Sequence, residues 1–243
     1  MTRLTIAIPS KGRLKEQTET WLAGLGHPLR QIGGERGYTA EIEGLDAEVR
    51  LLSAREIAEG LIDGSLHFGV TGEDLLNDLS PDGPEDFRVL RRLGFGGADV
   101  VVAVPQAWFD VDTMADLEAA GAAFRKAHGR RLRVATKYLR LTRRFFAQKS
   151  VGEYRLVESA GATEAAPSTG TADVIVDITT TGATLKANGL KILRDGLILA
   201  SEAAFATSVR AHFSPSAEAA RAVLTGALSQ GDHDFRKNVS THS

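Results

Sequence analysis

The sequence predicts an α/β protein built as two lobes with a central cleft. Stretches with strand-like and helix-like patterning alternate along the whole chain, as expected of sheets covered by helices. The run Gly94-Phe95-Gly96-Gly97, three glycines in four residues ahead of a new apolar segment, marks a crossover between lobes. Val174, Ile175, Val176 and Ile178 form a run too apolar for a strand with one wet face, so it reads as buried on both faces. The 243 residues suffice for one large domain or two small ones, each with its own core.

Composition narrows the function classes. Hydrophobic residues make up 43% and the formal net charge is -2, so neither a nucleic-acid surface nor a membrane surface is expected. The chain has no Cys, which excludes disulfides, thiolate catalysis and Cys-based zinc sites. The six histidines are scattered without ligand-like spacing, and neither a metal site nor a Ser-His-Asp arrangement is predicted. In MTRLTIAIPSKGR, Lys11 comes before any apolar core long enough for export, and no apolar run approaches the ~20 residues that span a bilayer. A cytoplasmic protein is the expectation.

Read in order, the chain opens with a strand over 4–8, the loop Pro9-Ser10-Lys11-Gly12-Arg13, and a helix with Leu14, Thr18, Trp21, Leu22 and Leu25 on one face. The loop therefore lies at the carboxyl end of the first strand, where open α/β sheets bind ligands. Lys11 and Arg13 oppose the usual preference for negative charge at a helix N-terminus. From spacing alone the turn reads equally as a solvated basic turn or as an anion site. A short helix over 56–62 and a strand over 66–70 follow. Residues 69–75 then turn into another helix, with Thr71 or Gly72 as its N-cap and Glu73 and Asp74 suited to the first turn.

Beyond this glycine run, Asp99 and the apolar run 100–104 form a strand ended by Pro105. A helix over 113–123, a strand over 132–135 and a helix over 136–148 come next, the last opened by Thr136 as N-cap. Its Arg140, Arg143 and Arg144 form a basic stripe, read as a solvated face, with docking to an acidic partner subunit as the alternative. Gly189 is placed as a helix C-cap, and strand-like segments cover 191–193 and 197–200. Ser214 and Pro215 suit the N-cap and N1 of an Ala-rich final helix over 217–228, followed by a polar tail.

The stretch from Glu164 to Leu185 is the most informative. It reads as a short acidic helix, a turn, the buried strand, and then Thr179-Thr180-Thr181-Gly182-Ala183-Thr184. A strand buried on both faces tolerates Asp177 only if the carboxylate has a partner. Hydroxyls and backbone N–H groups converging at the start of a helix make a phosphate cradle. An acid that grips ribose hydroxyls, followed by such a cradle, points to a ribose-5-phosphate site. The plain alternative is that Asp177 caps a turn and the threonines end a strand.

Glu164, Gly170, Ala172, Ile175, Asp177, Ile178, Thr181, Gly182, Thr184 and Leu185 match the signature of the ATP phosphoribosyltransferases in identity and spacing. The chain resembles that family at two further places. Lys11-Gly12-Arg13-Leu14 fits its K-G-R-L turn, and Gly69-Val70-Thr71-Gly72-Glu73-Asp74-Leu75 is similar to its G-I-T-G-x-D-x-L segment. One departure stands out. Where the family carries an arginine three residues before D-I-P, this chain has Ser53 ahead of Glu56-Ile57-Ala58, so that arginine's role does not carry over to Arg50 or Arg55. Arg36 aligns loosely with another basic family position; by itself it is a charged loop residue.

The resemblance implies a fold like that of the type II periplasmic binding proteins, with lobe I formed by 1–97 and 197–243 and lobe II by 98–196. It implies transfer of the 5-phosphoribosyl group of phosphoribosyl diphosphate to N1 of the adenine of ATP, the step that opens histidine biosynthesis. Glu164, Asp177, Thr179, Thr180, Thr181, Gly182, Ala183 and Thr184 would bind phosphoribosyl diphosphate. Ser10, Lys11, Gly12, Arg13, Thr71 and Gly72 would hold ATP or diphosphate, with Arg13 and Arg36 catalytic and Mg²⁺ arriving with the diphosphate. The length matches the short form of the family, without the regulatory domain of roughly 80 residues. That form implies a homo-oligomer working with a regulatory subunit similar to histidyl-tRNA synthetase, through which histidine would inhibit. Two other classes are less well served. Phosphoribosyltransferases acting on free bases carry two adjacent acids before T-G-x-T, whereas Ile178 follows Asp177 here. A non-catalytic two-lobed binding protein would call for an export signal.

Overall fold

A computed structural model describes residues 3–32, 39–81 and 83–239. The chain divides into two compact units, Met1–Phe95 with Ala203–Ser243, and Gly96–Glu202. The return falls at Ala203 rather than residue 197. The segments expected over 191–193 and 197–200 are one twelve-residue strand, Leu190–Ser201, whose irregular register lets it pair along its length within the second unit.

In the first unit, β1 (Leu4–Pro9) is buried at every residue and leads into α1 (Gly12–Gly24). Strands β2 (Leu29–Ile32), β3 (Thr39–Ile42) and β4 (Ala47–Leu52) follow as an antiparallel meander that sequence patterning did not mark. Next come α2 (Ala54–Asp63), β5 (Phe68–Gly72), α3 (Glu73–Leu79) and β6 (Phe87–Arg92). After the second unit the chain adds β12 (Ala203–Ser208) and α7 (Pro215–Val239). The sheet order is β2-β3-β4-β1-β5-β12-β6. Side-chain alternation on β1 sorts the two faces. Leu4, Ile6 and Ile8 pack with Leu22 of α1 and with Ala217 and Leu224 of α7, whereas Ala7 packs with Ile57 and Leu61 of α2. Gly69 permits this second packing: a Cβ there would lie 2.5 Å from Ile57 Cγ2.

Ser53 has a structural task. It is the N-cap of α2 in a capping box, its hydroxyl accepting the Glu56 N–H while Glu56 accepts the Ser53 N–H. The helix therefore starts at Ala54, ahead of the expected 56. Ser214 caps α7 as expected, its hydroxyl accepting the Ala217 N–H at 3.2 Å. Among the described residues no helix is long and apolar enough to cross a membrane.

The second unit contains β7 (Ala98–Pro105), α4 (Met114–His128), β8 (Leu132–Thr136), α5 (Leu139–Gln148), β9 (Tyr154–Glu158), β10 (Val174–Thr179), α6 (Ala183–Ala187) and β11 (Leu190–Ser201). Its order is β11-β7-β10-β8-β9, so β10 is the central strand, parallel to β8 and antiparallel to β7. Val174 and Val176 face the core containing Phe145 and Phe146 of α5. Ile175 faces the opposite side, with Ala166 and Leu185. Thr136 does not cap α5: the helix begins three residues later, and the Thr136 hydroxyl accepts the Tyr138 N–H at 2.9 Å, closing a tight turn after β8. The acidic helix expected at 164 is a single 3₁₀ turn, Thr163–Ala165.

A carboxylate fixes where β10 starts. Asp173, its side chain 12% exposed, accepts hydrogen bonds from the Arg133 N–H and guanidinium and from Arg130. Its own N–H donates to the Arg133 carbonyl at 2.9 Å. Burial alone would raise this carboxyl, but the arginine hydrogen bonds outweigh it and hold the group well below the usual carboxylate range. A depressed carboxyl stabilises the fold above its unfolded value of about 3.9 and loses that contribution as pH falls through its folded value. Asp173→Asn should cost about 2 kcal/mol at neutral pH, the scale of a charge-assisted hydrogen bond. Denaturant titrations should show this cost shrinking below about pH 4; equal stability of the two proteins at pH 7 would refute the role.

Candidate active site

Residues 174–187 build a strand, a tight turn and a short helix, and each piece has a local cause. The apolar residues of β10 are spent on the two cores, and alternation turns Asp177 to the same face as Ile175. Gly182 ends the turn as the N-cap of α6 at φ +72, a left-handed conformation that glycine adopts without the steric cost of a Cβ. Two of the turn's amides are held by threonines: Gly182 N–H donates to Thr179 Oγ1 at 2.8 Å, and Ala183 N–H to Thr181 Oγ1 at 3.3 Å. The hydroxyls act here as acceptors, each leaving its own proton to donate elsewhere.

This turn forms one wall of a cavity of about 480 Å³. Glu164, Asp177, Thr179, Thr180, Thr181 and Thr184 all line it; Gly182 and Ala183 shape the turn without appearing on the wall. Asp177 is 9% exposed, and its Oδ1 accepts the Ile178 N–H at 2.9 Å. Burial raises its carboxyl above the ordinary value; the Ile178 N–H and the Lys137 charge oppose that, and Glu164 reinforces it. Two acids and a ring of hydroxyls on one wall suit a polyhydroxylated, phosphorylated ligand.

Lys137 was not anticipated from the sequence. It stands directly after β8 and lines the same cavity, because β8 runs parallel to β10 and both end on this side of the sheet. The signal available was its place at the carboxyl end of a strand, where open α/β sheets carry ligands.

The remaining expectations concern the first unit. Lys11 is the N-cap of α1, Gly12 has φ +74, and Lys11 and Arg13 are exposed with no acidic residue in the first turn to meet them. Ser10 joins the turn to the sheet through its N–H, which donates to the Leu52 carbonyl at 2.9 Å. Thr71 has an internal task. It is completely buried, and its hydroxyl donates to the Ala54 carbonyl at 2.7 Å, tying β5 to the start of α2. Gly72 is the N-cap of α3, and Glu73 accepts the Arg92 Nε–H at 3.0 Å. Arg50 pairs with Glu48 and Arg55 with Glu59, so both already have carboxylate partners. Arg36 lies outside the described residues.

Comparison with known proteins agrees with the geometry. Residues 53–225 match the family model described as HisG: ATP phosphoribosyltransferase. A Caulobacter vibrioides ATP phosphoribosyltransferase (strain NA1000 / CB15N) is 58% identical over 211 residues, 86% of this chain and 66% of that protein. One from Rhodopseudomonas palustris (strain HaA2) is 55% identical over 97% of this chain and 73% of its own length. The chain thus spans about two thirds to three quarters of these relatives. Among solved structures, a chain of the Thermotoga maritima ATP phosphoribosyl transferase (HisG:HisZ) complex matches with TM-score 0.70 at 24% identity, covering 95% of this chain and 98% of that one. A histidine kinase sensor domain similar to periplasmic binding proteins matches with TM-score 0.51 at 11% identity, covering 98% and 94%. These two likenesses establish the fold, the type II periplasmic-binding-protein class that the resemblance implied. With an acid-and-threonine cavity built from the signature residues and a family model covering most of its length, this chain belongs to the HisG family of ATP phosphoribosyltransferases.

Proposed function

We propose that this chain transfers the 5-phosphoribosyl group of phosphoribosyl diphosphate to N1 of the adenine ring of ATP, releasing diphosphate, as the first step of histidine biosynthesis. The observation that carries the reading is the shared cavity of Glu164, Asp177 and the threonine turn. Asp177 and Glu164 accept hydrogen bonds from the ribose hydroxyls, and their negative charge favours the positive charge that develops on the sugar as the diphosphate leaves. The threonine hydroxyls, which keep their own protons to donate, take the 5-phosphate. Adenine N1 is a neutral nucleophile, so no strong base is needed, and positioning with electrostatics supplies the catalysis. Lys11 and Arg13, exposed at a helix N-terminus, serve the phosphates of ATP or the departing diphosphate.

Mg²⁺ belongs to this reading as the counter-ion of the diphosphate, whose charge it neutralises when bound. The donor set suits a cation of that kind: Mg²⁺ is held through one or two carboxylates plus substrate phosphates, and Glu164 and Asp177 are two carboxylates on one wall. A cytoplasmic site of action follows from the substrates. Self-association and work with a HisZ-like regulatory subunit are part of the proposal, supported by the likeness to a chain of the Thermotoga maritima HisG:HisZ complex.

The direct test mixes the protein with ATP, phosphoribosyl diphosphate and Mg²⁺, with and without a HisZ-like partner, and follows the ultraviolet absorbance of the adduct. Turnover of a free base and none of ATP would overturn the reading.

Phosphoribosyl diphosphate affinity, measured by calorimetry, should fall as pH drops through the raised Asp177 value, because only the ionised carboxylate accepts both ribose hydroxyls. That acid limb should lie above the ordinary carboxylate value of about 3.9 and vanish in Asp177→Asn, which binds more weakly at every pH. Gly182→Val should remove activity. Its Cβ would meet Ile192 Cδ1 at an ordinary 3.6 Å, so the cost falls on the left-handed backbone, roughly 1–2 kcal/mol, and the turn distorts while the unit stays folded. Full turnover by a folded Gly182→Val protein would show that the turn does not hold phosphate.

A further inference from the structure

The cavity wall is unbalanced in charge for the ligand proposed above. It carries two carboxylates, Glu164 and Asp177, and its only cation among the described lining residues is Lys137. A phosphorylated sugar brings further negative charge next to those acids, and like charges placed together in a partly buried site repel. A cation on the wall itself offsets that repulsion alongside any ion the ligand carries in.

Lys137 is placed to be that cation. It follows the last residue of β8, which is anchored by the buried Thr136 and its bond to the Tyr138 N–H. Its own side chain is exposed and reaches the cavity from the strand neighbouring Asp177. The other lysine near the turn, Lys186 in the last turn of α6, does not line the cavity. Lysine presents three donors on a flexible stem as a point charge, which suits a phosphate that must also be gripped by hydroxyls.

We propose that Lys137 is a substrate-binding residue whose ammonium directly contacts a phosphate of the phosphorylated ribose held by the Asp177, Glu164 and threonine wall. The inference rests on the phosphoribosyl reading of this cavity and adds a residue to it. It divides the labour on the wall: acids take the sugar hydroxyls, the turn and Lys137 take phosphate.

The test uses the full chain and two probes, ribose 5-phosphate by calorimetry and phosphoribosyl diphosphate by steady-state kinetics. Lys137→Ala should weaken ribose 5-phosphate binding by roughly tenfold to a hundredfold, the range of one charge-assisted hydrogen bond. It should raise KM for phosphoribosyl diphosphate by a similar factor with a smaller change in kcat. Lys137→Arg should keep most of the affinity, and Lys186→Ala should leave it unchanged. The loss should persist in an Asp177→Asn background, since direct contact with phosphate does not pass through that carboxylate. Unchanged ribose 5-phosphate affinity in Lys137→Ala overturns the inference, as does a loss that disappears in the Asp177→Asn background, which would make Lys137 a neutraliser of Asp177. Wild-type protein that binds neither probe overturns the phosphoribosyl reading itself, so the two failures are distinguishable.

Discussion

The clasp between Asp173 and the arginines Arg130 and Arg133 is the interaction on which the second unit depends. It locks the first turn of pairing between β10 and β8 from both sides, amide to carbonyl and carboxylate to guanidinium. Strand registers slip in steps of one residue, and a slip of one exchanges the two faces. A slip here would send Val174 and Val176 to the cavity side and Asp177 into the core around Phe146. The clasp and the apolar alternation therefore select the same register. What they secure is the position of a carboxylate four residues on, within β10.

Asp173 and Asp177 are opposite solutions to burying a carboxylate. Asp173 receives two guanidinium groups, and its charge becomes a source of stability. Asp177 receives one backbone N–H, lies beside Glu164, and has its carboxyl raised. A raised acid costs folding free energy at neutral pH, because the unfolded chain ionises it more readily. Folding alone does not account for a carboxyl held this way. Perturbed acids in a cavity are candidates for function on that ground, and the contrast between two carboxylates four residues apart makes the argument specific.

The first unit places its chemistry by similar means. β1 is buried throughout and ends at Pro9, so the chain must leave the sheet there, and the Ser10 bond to Leu52 fixes the exit. α1 then starts with Lys11 and Arg13 exposed and no acidic residue in its first turn. Elsewhere in this unit the polar residues of the signature-like segments are used internally. Thr71 holds a carbonyl, Glu73 holds Arg92, and Ser53 caps a helix. Those three residues explain how a stretch that resembles a binding motif also does structural work.

The sequence by itself determined the alternation of strands and helices, the break near Gly94–Gly97, the basic turn after the first strand, and the acid-and-threonine stretch. All are local patterns, set by apolar periodicity, by glycine and by residue spacing within one turn or strand. It also contained the capping box Ser53-x-x-Glu56, a local signal masked by the same residues' departure from the family pattern. Tertiary structure alone decided the rest. The β2–β3–β4 meander has weak patterning and exists through its pairing. The end of the second unit at Glu202 depends on the bulged pairing of β11 with β7. Thr71 became internal because the Ala54 carbonyl needed a donor, and Lys137 joined the cavity because β8 runs beside β10. These outcomes depend on partners elsewhere in the chain, 17 residues away for Thr71 and Ala54 and 85 or more for β11 and β7, and no pattern confined to one segment encodes which partner a hydroxyl or an ammonium will meet.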